Sequence, residues 1–305
     1  MSNSSLPSTA ATLQPGTLWS AVLERCRTAR ASGALSPIEC DQDVIDDAGV
    51  RFVVRRVSTL ARKTEQRHKK RNTAPSSARE FPLEPALFVG NVSETHVALL
   101  NKFPVIAHHA LLVTRRFVPQ EALLDRDDFA ALVVGLREFD ALGFYNGGVA
   151  AGASQPHKHL QLVPLPLGSD RAVPMDALLE RSAPDGRVTT VPGLPFRHAF
   201  CRCDTRAFGG DERLAARYRE LLAAAGIGTV AHEGVACQSA PYNLLVTREW
   251  MLLVARTREH FGRISINALG YAGSIFVKND DELAQVRDAG PMAVVKAVAA
   301  ATPGA

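Results

Sequence analysis

Several things are scarce in this 305-residue chain, and each scarcity excludes a class of protein. Aromatic residues make up only 6%, so the stacking platform of a nucleic-acid binder has little material. Neither sign of charge dominates: 35 Lys and Arg against 31 Asp and Glu leave a net charge of +4. Such a surface accepts anionic ligands but lacks the basic stripe of a nucleic-acid-binding domain, so no nucleic-acid partner is expected. No run of about 18 apolar residues occurs, so neither a membrane-spanning helix nor a membrane partner is expected. The opening stretch MSNSSLPSTAATLQPG has no basic segment followed by an apolar one, and no secretory signal is expected. The five cysteines are odd in number and show no disulfide framework, which fits reduced thiols in the cytoplasm.

What is present is ordinary for a folded chain, 46% hydrophobic and 22% charged. Residues 17–32 (TLWSAVLERCRTARAS) predict an amphipathic helix and 50–57 (VRFVVRRV) a strand. Residues 61–80 are polar and basic and read as a solvated loop. Segments 96–101 and 110–114 predict paired strands. Residues 126–141 set Phe129, Leu132, Val133, Leu136 and Phe139 on one helical face. A small-residue loop, YNGGVAAGASQP, leads into the strand HKHLQLVPLP. Pro166, Pro184, Pro192 and Pro195 mark residues 165–197 as a boundary or long surface connection. The expected division is a half carrying the histidine strand (1–170), a linker (171–197) and a C-terminal half completing the site (198–305). In that last half, 211–225 predicts a helix and 242–247 with 250–255 a hairpin. Residues 264–278 read as strand, glycine loop and strand, and a helix from Asp280 is interrupted at Gly290-Pro291. HVALLN…HHALLVT is echoed by PYNLLVTREWMLLVA, as an internal duplication would give; chance likeness of two hairpins is the rival.

The segment His157-Lys158-His159-Leu160-Gln161-Leu162-Val163 carries the most chemistry. Strand alternation would set His157, His159 and Gln161 on one face, with Leu160 and Leu162 on the other and Lys158 at the strand's edge. A row of polar groups there is costly unless partners or a ligand satisfy them. A neutral imidazole can attack phosphorus and hold the transferred group covalently. Gln161 can orient phosphate oxygens but has no titratable proton, so it cannot be a general acid. The pattern suits a leaving group that departs unaided, such as a nucleoside phosphate. Asn146-Gly147-Gly148 and Gly152-Ala153-Ser154-Gln155 supply small residues whose backbone N–H groups could cradle an anion.

With these residues the chain resembles the diadenosine tetraphosphate phosphorylase (ATP adenylyltransferase) family of the histidine-triad superfamily, in its His-x-His-x-Gln form. The resemblance rests on YNGGVAAGASQPHKHLQLVP, supported by LNKFPVIAHHALLVT, FVVRRVSTLARK, PYNLLVTREWMLLVARTRE and ISINALGYAGSIFVK. It implies an α+β fold, an antiparallel sheet with flanking helices, built from two related halves sharing one core if the echo is real. It implies cleavage of diadenosine tetraphosphate by inorganic phosphate, reversibly, to ADP and ATP. His159 would carry AMP, His157 would support it, and Gln161 would hold the phosphoryl oxygens. Asn146, Gly152, Ala153, Ser154 and Gln155 match the nucleotide loop. Asn101 and Lys102 match a segment near the nucleotide, Lys63 and Lys278 match basic positions for the polyphosphate, and Asn267 matches a second-half loop. Gly148 stands where family members often have serine. A divalent cation, most simply Mg²⁺, would shield the polyphosphate, with no protein-held metal expected.

Other features have plainer readings. His108-His109 read as turn residues, Gly270 and Gly273 as a tight turn, and His198 with Cys201 and Cys203 as structural groups, because the spacing is not that of a zinc site. The rival functions are a hexose-1-phosphate nucleotidyltransferase of the same superfamily and a non-catalytic nucleotide sensor. Lys158 and the LNKFP segment favour the dinucleotide over the sugar nucleotide. No oligomeric state is read from the sequence.

Overall fold

Residues 141–147 and 159–164, buried almost throughout, form two strands at the middle of an eight-stranded antiparallel sheet. The computed structural model describes residues 12–57, 84–182, 186–203 and 211–302, so Lys63 and the expected loop at 61–80 lie outside the described residues. The described strands are β1 (Cys40–Asp47), β2 (Val50–Val57), β3 (Phe88–Asn91), β4 (His96–Leu100), β5 (Ala110–Thr114), β6 (Ala141–Gly147), β7 (His159–Pro164) and β8 (His198–Arg202). They continue with β9 (Thr229–His232), β10 (Val235–Gln238), β11 (Tyr242–Val246), β12 (Trp250–Ala255), β13 (His260–Phe261), β14 (Ile264–Ser265) and β15 (Ser274–Val277). The helices are α1 (Leu18–Ala31), α2 (Arg126–Glu138), α3 (Asp176–Leu179), α4 (Asp211–Ala224), α5 (Ala268–Tyr271), α6 (Asp280–Ala289) and α7 (Pro291–Val298).

The large sheet runs β3-β4-β5-β7-β6-β11-β12-β8. Its seam is the β6–β11 pair, where Asn146 lies opposite Asn243 and the two halves of the chain meet. Both faces are covered, so its strands are apolar almost throughout. One core joins α1, α2 and α4 to Leu160, Leu162, Leu244 and Leu253. The other joins Phe144, Val163, Leu245 and Leu252 to β2, α3 and α5 to α7. There β2 is central in a small sheet, antiparallel to β1 and parallel to β15. The acidic strand β1 (CDQDVIDD) escaped the sequence reading because an edge strand needs little apolar content.

Helix α2 starts where its chemistry dictates. The Asp125 side chain accepts from the Asp127 and Asp128 N–H groups, and the Asp128 side chain accepts in return from the Asp125 N–H. It stops at Glu138 rather than 141, because Phe139 is already extended. Among the described residues of 171–197, α3 and its neighbours bury Val173, Met175, Leu178, Leu179, Val191, Leu194 and Phe196 in the second core, while Pro166 and Pro192 stay exposed. The stretch expected as a glycine loop between β14 and β15 holds the short helix α5, capped by Asn267. The echoing hairpins are β4–β5 and β11–β12 in the one sheet, but their sequels differ: β5 leads to β6 and β7 beside it, whereas β12 leads to β15 in the small sheet.

Candidate active site

His159 opens β7 with its ring on the side of the small sheet, and Gln161 follows on the same face. The His159 Nδ1–H donates to the His157 carbonyl at 2.8 Å. A carbonyl can only accept, so the proton of the neutral ring sits on Nδ1 and the lone pair on Nε2. Burial keeps the ring neutral, lowering its pKa to about 4 despite the hydrogen bond that favours the charged form. His157 thus supports its neighbour through its main chain. Its own ring lies ahead of the strand, where Nε2 donates to the Arg116 carbonyl and lies near Thr114 Oγ1, both at 3.0 Å.

Lys158 lies just ahead of β7, at the strand's edge as alternation suggested, yet it is buried. It is 2% exposed and faces the helical layer, with Nζ donating to Asp128 Oδ2 and to the Leu123 carbonyl. Facing away from the histidines, it gives no information about the substrate. Asp128 also meets His96 Nε2 at 3.0 Å.

Two residues that help build the candidate site were missed from sequence. Gln120 is buried and spans β6 and β7 where their ladder has ended. Its Oε1 accepts from the His159 N–H at 2.9 Å, and its Nε2 donates to the Asn146 carbonyl at 2.9 Å and the His159 carbonyl at 3.3 Å. One amide therefore stands in for missing strand hydrogen bonds and keeps the two strands apart beside the site. His109, read as a turn residue, is buried with Nε2 2.9 Å from Gln161 Oε1. A lone glutamine after a proline carries no sequence signal; the His108-His109 pair did, and strand alternation through ALLVT would have set His109 on the Leu111 face.

Two adjoining cavities of about 320 and 310 Å³ meet at a wall of Asn101, Phe103, Ser154 and Gln161. The first adds Asn146, Gly152, Asn267 and Lys278 among apolar residues such as Ile38, Ile106 and Phe276. The second adds Lys102, Gln155 and His159. Of the predicted site residues described, Ala153 and His157 line neither. Lys102 is paired with Glu84, at 2.6 Å.

The loop is fixed across the seam of the sheet. Asn146 Oδ1 accepts from Asn243 Nδ2 at 2.8 Å and from the Ala268 N–H at 3.0 Å. Asn243 Oδ1 accepts from buried Arg256, whose guanidinium also donates to the Val298 carbonyl at 3.1 Å and to the Ile266 carbonyl at 2.8 Å. These contacts hold Asn267 against the glycine loop. Gly148 and Gly152 have φ of +86° and +90°, where a side chain is strained, so Gly148 in place of serine suits this backbone. A Cβ on Gly152 would lie 2.8 Å from Asn267 Cβ. Gly152→Ala is therefore expected to destabilise the fold by about 1–3 kcal/mol and weaken nucleotide binding, read by thermal denaturation and AMP titration.

Among the described residues the cavities offer Mg²⁺ no unengaged carboxylate. No three His, Cys, Asp or Glu side chains gather among the described residues, and Glu84 is engaged by Lys102 and Glu282 by the Lys278 N–H. Among the described residues no helix is long and apolar enough to cross a membrane.

The model of the Ap4A (diadenosine tetraphosphate) phosphorylase N-terminal domain matches residues 8–181, and that of the ATP adenylyltransferase C-terminal domain matches 192–301. The chain is 31% identical over 209 residues to diadenosine 5',5'''-P1,P4-tetraphosphate phosphorylase 2 of Saccharomyces cerevisiae, an alignment spanning 61% of this chain and 63% of that relative. It is 27% identical over 296 residues to Protein APA1 of the same organism, covering 90% and 91% of the two chains. The crystal structure of yeast Ap4A phosphorylase Apa2 superposes with a TM-score of 0.77 at 23% identity, over 97% of this chain and 98% of that one, and shares the fold.

Proposed function

The chain belongs to the Ap4A phosphorylase family, and from that premise we propose that it cleaves diadenosine tetraphosphate with inorganic phosphate to ADP and ATP, reversibly. The observation that carries the mechanism is the His159 Nδ1–H bond to the His157 carbonyl, which assigns the ring's lone pair to Nε2 in a residue that lines the second cavity. In the first step Nε2 forms a bond to the α-phosphorus, the bond from that phosphorus to the bridging oxygen breaks, and ATP departs with the electron pair. AMP stays on His159. In the second step a phosphate oxygen attacks the same phosphorus, the P–N bond breaks, Nε2 recovers its lone pair and ADP is released.

ATP is a good leaving group, so the lack of a titratable proton on Gln161 is no handicap. Gln161, Ser154 and Asn101 bind and orient the phosphoryl oxygens where the cavities join. The first cavity, with its apolar lining, takes one nucleoside. Lys278 lies on its wall beside the polyphosphate path, Lys63 is assigned there by resemblance alone, and any Mg²⁺ enters already bound to the polyphosphate. The reading places the reaction in the cytoplasm, consistent with five free cysteines.

Product analysis with Mg²⁺, with and without inorganic phosphate, tests the reading. Equal ADP and ATP formed only with phosphate is the expected result. AMP and ATP formed without phosphate would make the protein a hydrolase, and no turnover would move the assignment to a sugar nucleotide or a sensor.

A further inference from the structure

The amide of Gln161 could offer a phosphoryl oxygen either its N–H donors or its carbonyl, and only the first attracts an anion. A row of hydrogen bonds running back to the main chain decides between them. The Phe103 N–H, which can only donate, meets Asn101 Oδ1 at 3.1 Å. This turns Asn101 Nδ2 toward His109 Nδ1, 3.1 Å away, so that Nδ1 must accept. A neutral imidazole accepting at Nδ1 carries its proton on Nε2, and His109 Nε2 lies 2.9 Å from Gln161 Oε1. Burial keeps the His109 ring neutral, with a pKa lowered to about 4, so the row does not reverse near neutral pH. The two histidines on this wall are thereby opposite tautomers: His159 holds its proton on Nδ1 and His109 on Nε2.

We propose that His109 is a positioning residue for the reaction: with Asn101 it fixes the polarity of the Gln161 amide, so that N–H donors meet the phosphoryl oxygens of the attacked phosphate. This rests on the proposed function for its chemistry, but the tautomer it requires does not. Asn101, assigned by resemblance to the nucleotide, acquires a second task as the link between a backbone donor and the imidazole. Freed from His109, the Gln161 side chain could rotate and present its carbonyl lone pairs to an anion.

The test has a structural and a kinetic arm. In ¹⁵N NMR of the wild-type protein at neutral pH, His109 is expected as the Nε2–H tautomer; finding Nδ1–H overturns the proposal even if the enzyme has another substrate. In steady-state phosphorolysis of diadenosine tetraphosphate, His109→Ala is expected to lower kcat about 10- to 100-fold with KM little changed, because the donors act on charge developing at phosphorus. His109→Gln, which offers a donor and an acceptor in the same order, should restore most of the rate. A double variant with Gln161→Ala should be no slower than Gln161→Ala alone, since His109 acts through that residue. Additive losses, an unchanged kcat in His109→Ala, or no rescue by glutamine would each overturn the proposal. Should His109→Ala fail to fold, the glutamine variant and the NMR arm decide. If the wild type does not turn over the dinucleotide, the proposed function fails while the tautomer still tests the relay.

Discussion

Replacing His159 with alanine is expected to remove phosphorolysis of diadenosine tetraphosphate, with a loss on the order of 10⁴-fold or more, as for the nucleophile of other covalent enzymes. No described group nearby can substitute. Gln161 has no nucleophilic lone pair of comparable basicity, and the His157 ring is bonded at the end of β5. Protein incubated with α-³²P-labelled diadenosine tetraphosphate without phosphate should retain acid-labile AMP, and His159→Ala should retain none. Two displacements at one phosphorus should retain its configuration. The pH profile follows from the lowered pKa of about 4: attack by Nε2 should hold level from neutral pH down to about 5 and fall as the ring protonates. A linked effect appears in stability. The unfolded chain protonates this ring near pH 6.5 while the native state resists until about 4, so wild-type stability is full above 6.5 and drains away as pH falls through that window. The shift corresponds to roughly 3 kcal/mol, and His159→Ala should flatten the acid limb by that order. A variant inactive at every pH but with the wild-type acid limb would contradict the burial argument.

The site was legible where chemistry and periodicity coincide. His159 and Gln161 sit two apart on one strand, and alternation alone gave their common face. The small-residue loop was legible for the same reason, since φ values of +86° and +90° at Gly148 and Gly152 exclude most other residues. Long periodic elements such as α1, α4 and the β11–β12 hairpin read almost to their ends. Illegible were residues whose role depends on a distant partner. Gln120 acts on β6 and β7, and Arg256 and Asn243 act on Asn146 across the seam, none with a local pattern. The burial of Lys158 was illegible too, because a lysine at a strand's edge is ordinarily exposed, and only the fold supplies Asp128 beneath it.

That buried pair leads to the largest expected effect on stability. Lys158→Met should destabilise the protein by about 3–5 kcal/mol, because it strands a carboxylate rather than because the intact pair is strongly stabilising. Asp128 is 1% exposed. Burial alone would raise its pKa, but the His96 hydrogen bond and the Lys158 charge hold it below the ordinary value. Without Lys158 the burial cost stands against fewer partners, and the carboxyl escapes it by taking up a proton. The sign of the pH effect then inverts. In the wild type the lowered pKa gives stability that is full above the unfolded value and lost as pH falls through the folded one. In the variant a raised pKa makes acidification favour the fold, so the gap between the two should narrow as pH drops. A double variant, Lys158→Met with Asp128→Asn, removes both charges and keeps an acceptor for His96 but forfeits the one that the Asp125 N–H meets, so it should recover part of the loss. Urea denaturation of the three proteins at neutral and mildly acid pH measures each step. Equal losses in the single and double variants would show that packing of the lysine stem, not the buried charge, ties the start of β7 to α2. Because Lys158 lies between His157 and His159, that tie also sets where the nucleophile stands. The single variant should therefore lose kcat even at temperatures where it remains folded, and the double variant should regain rate in step with stability.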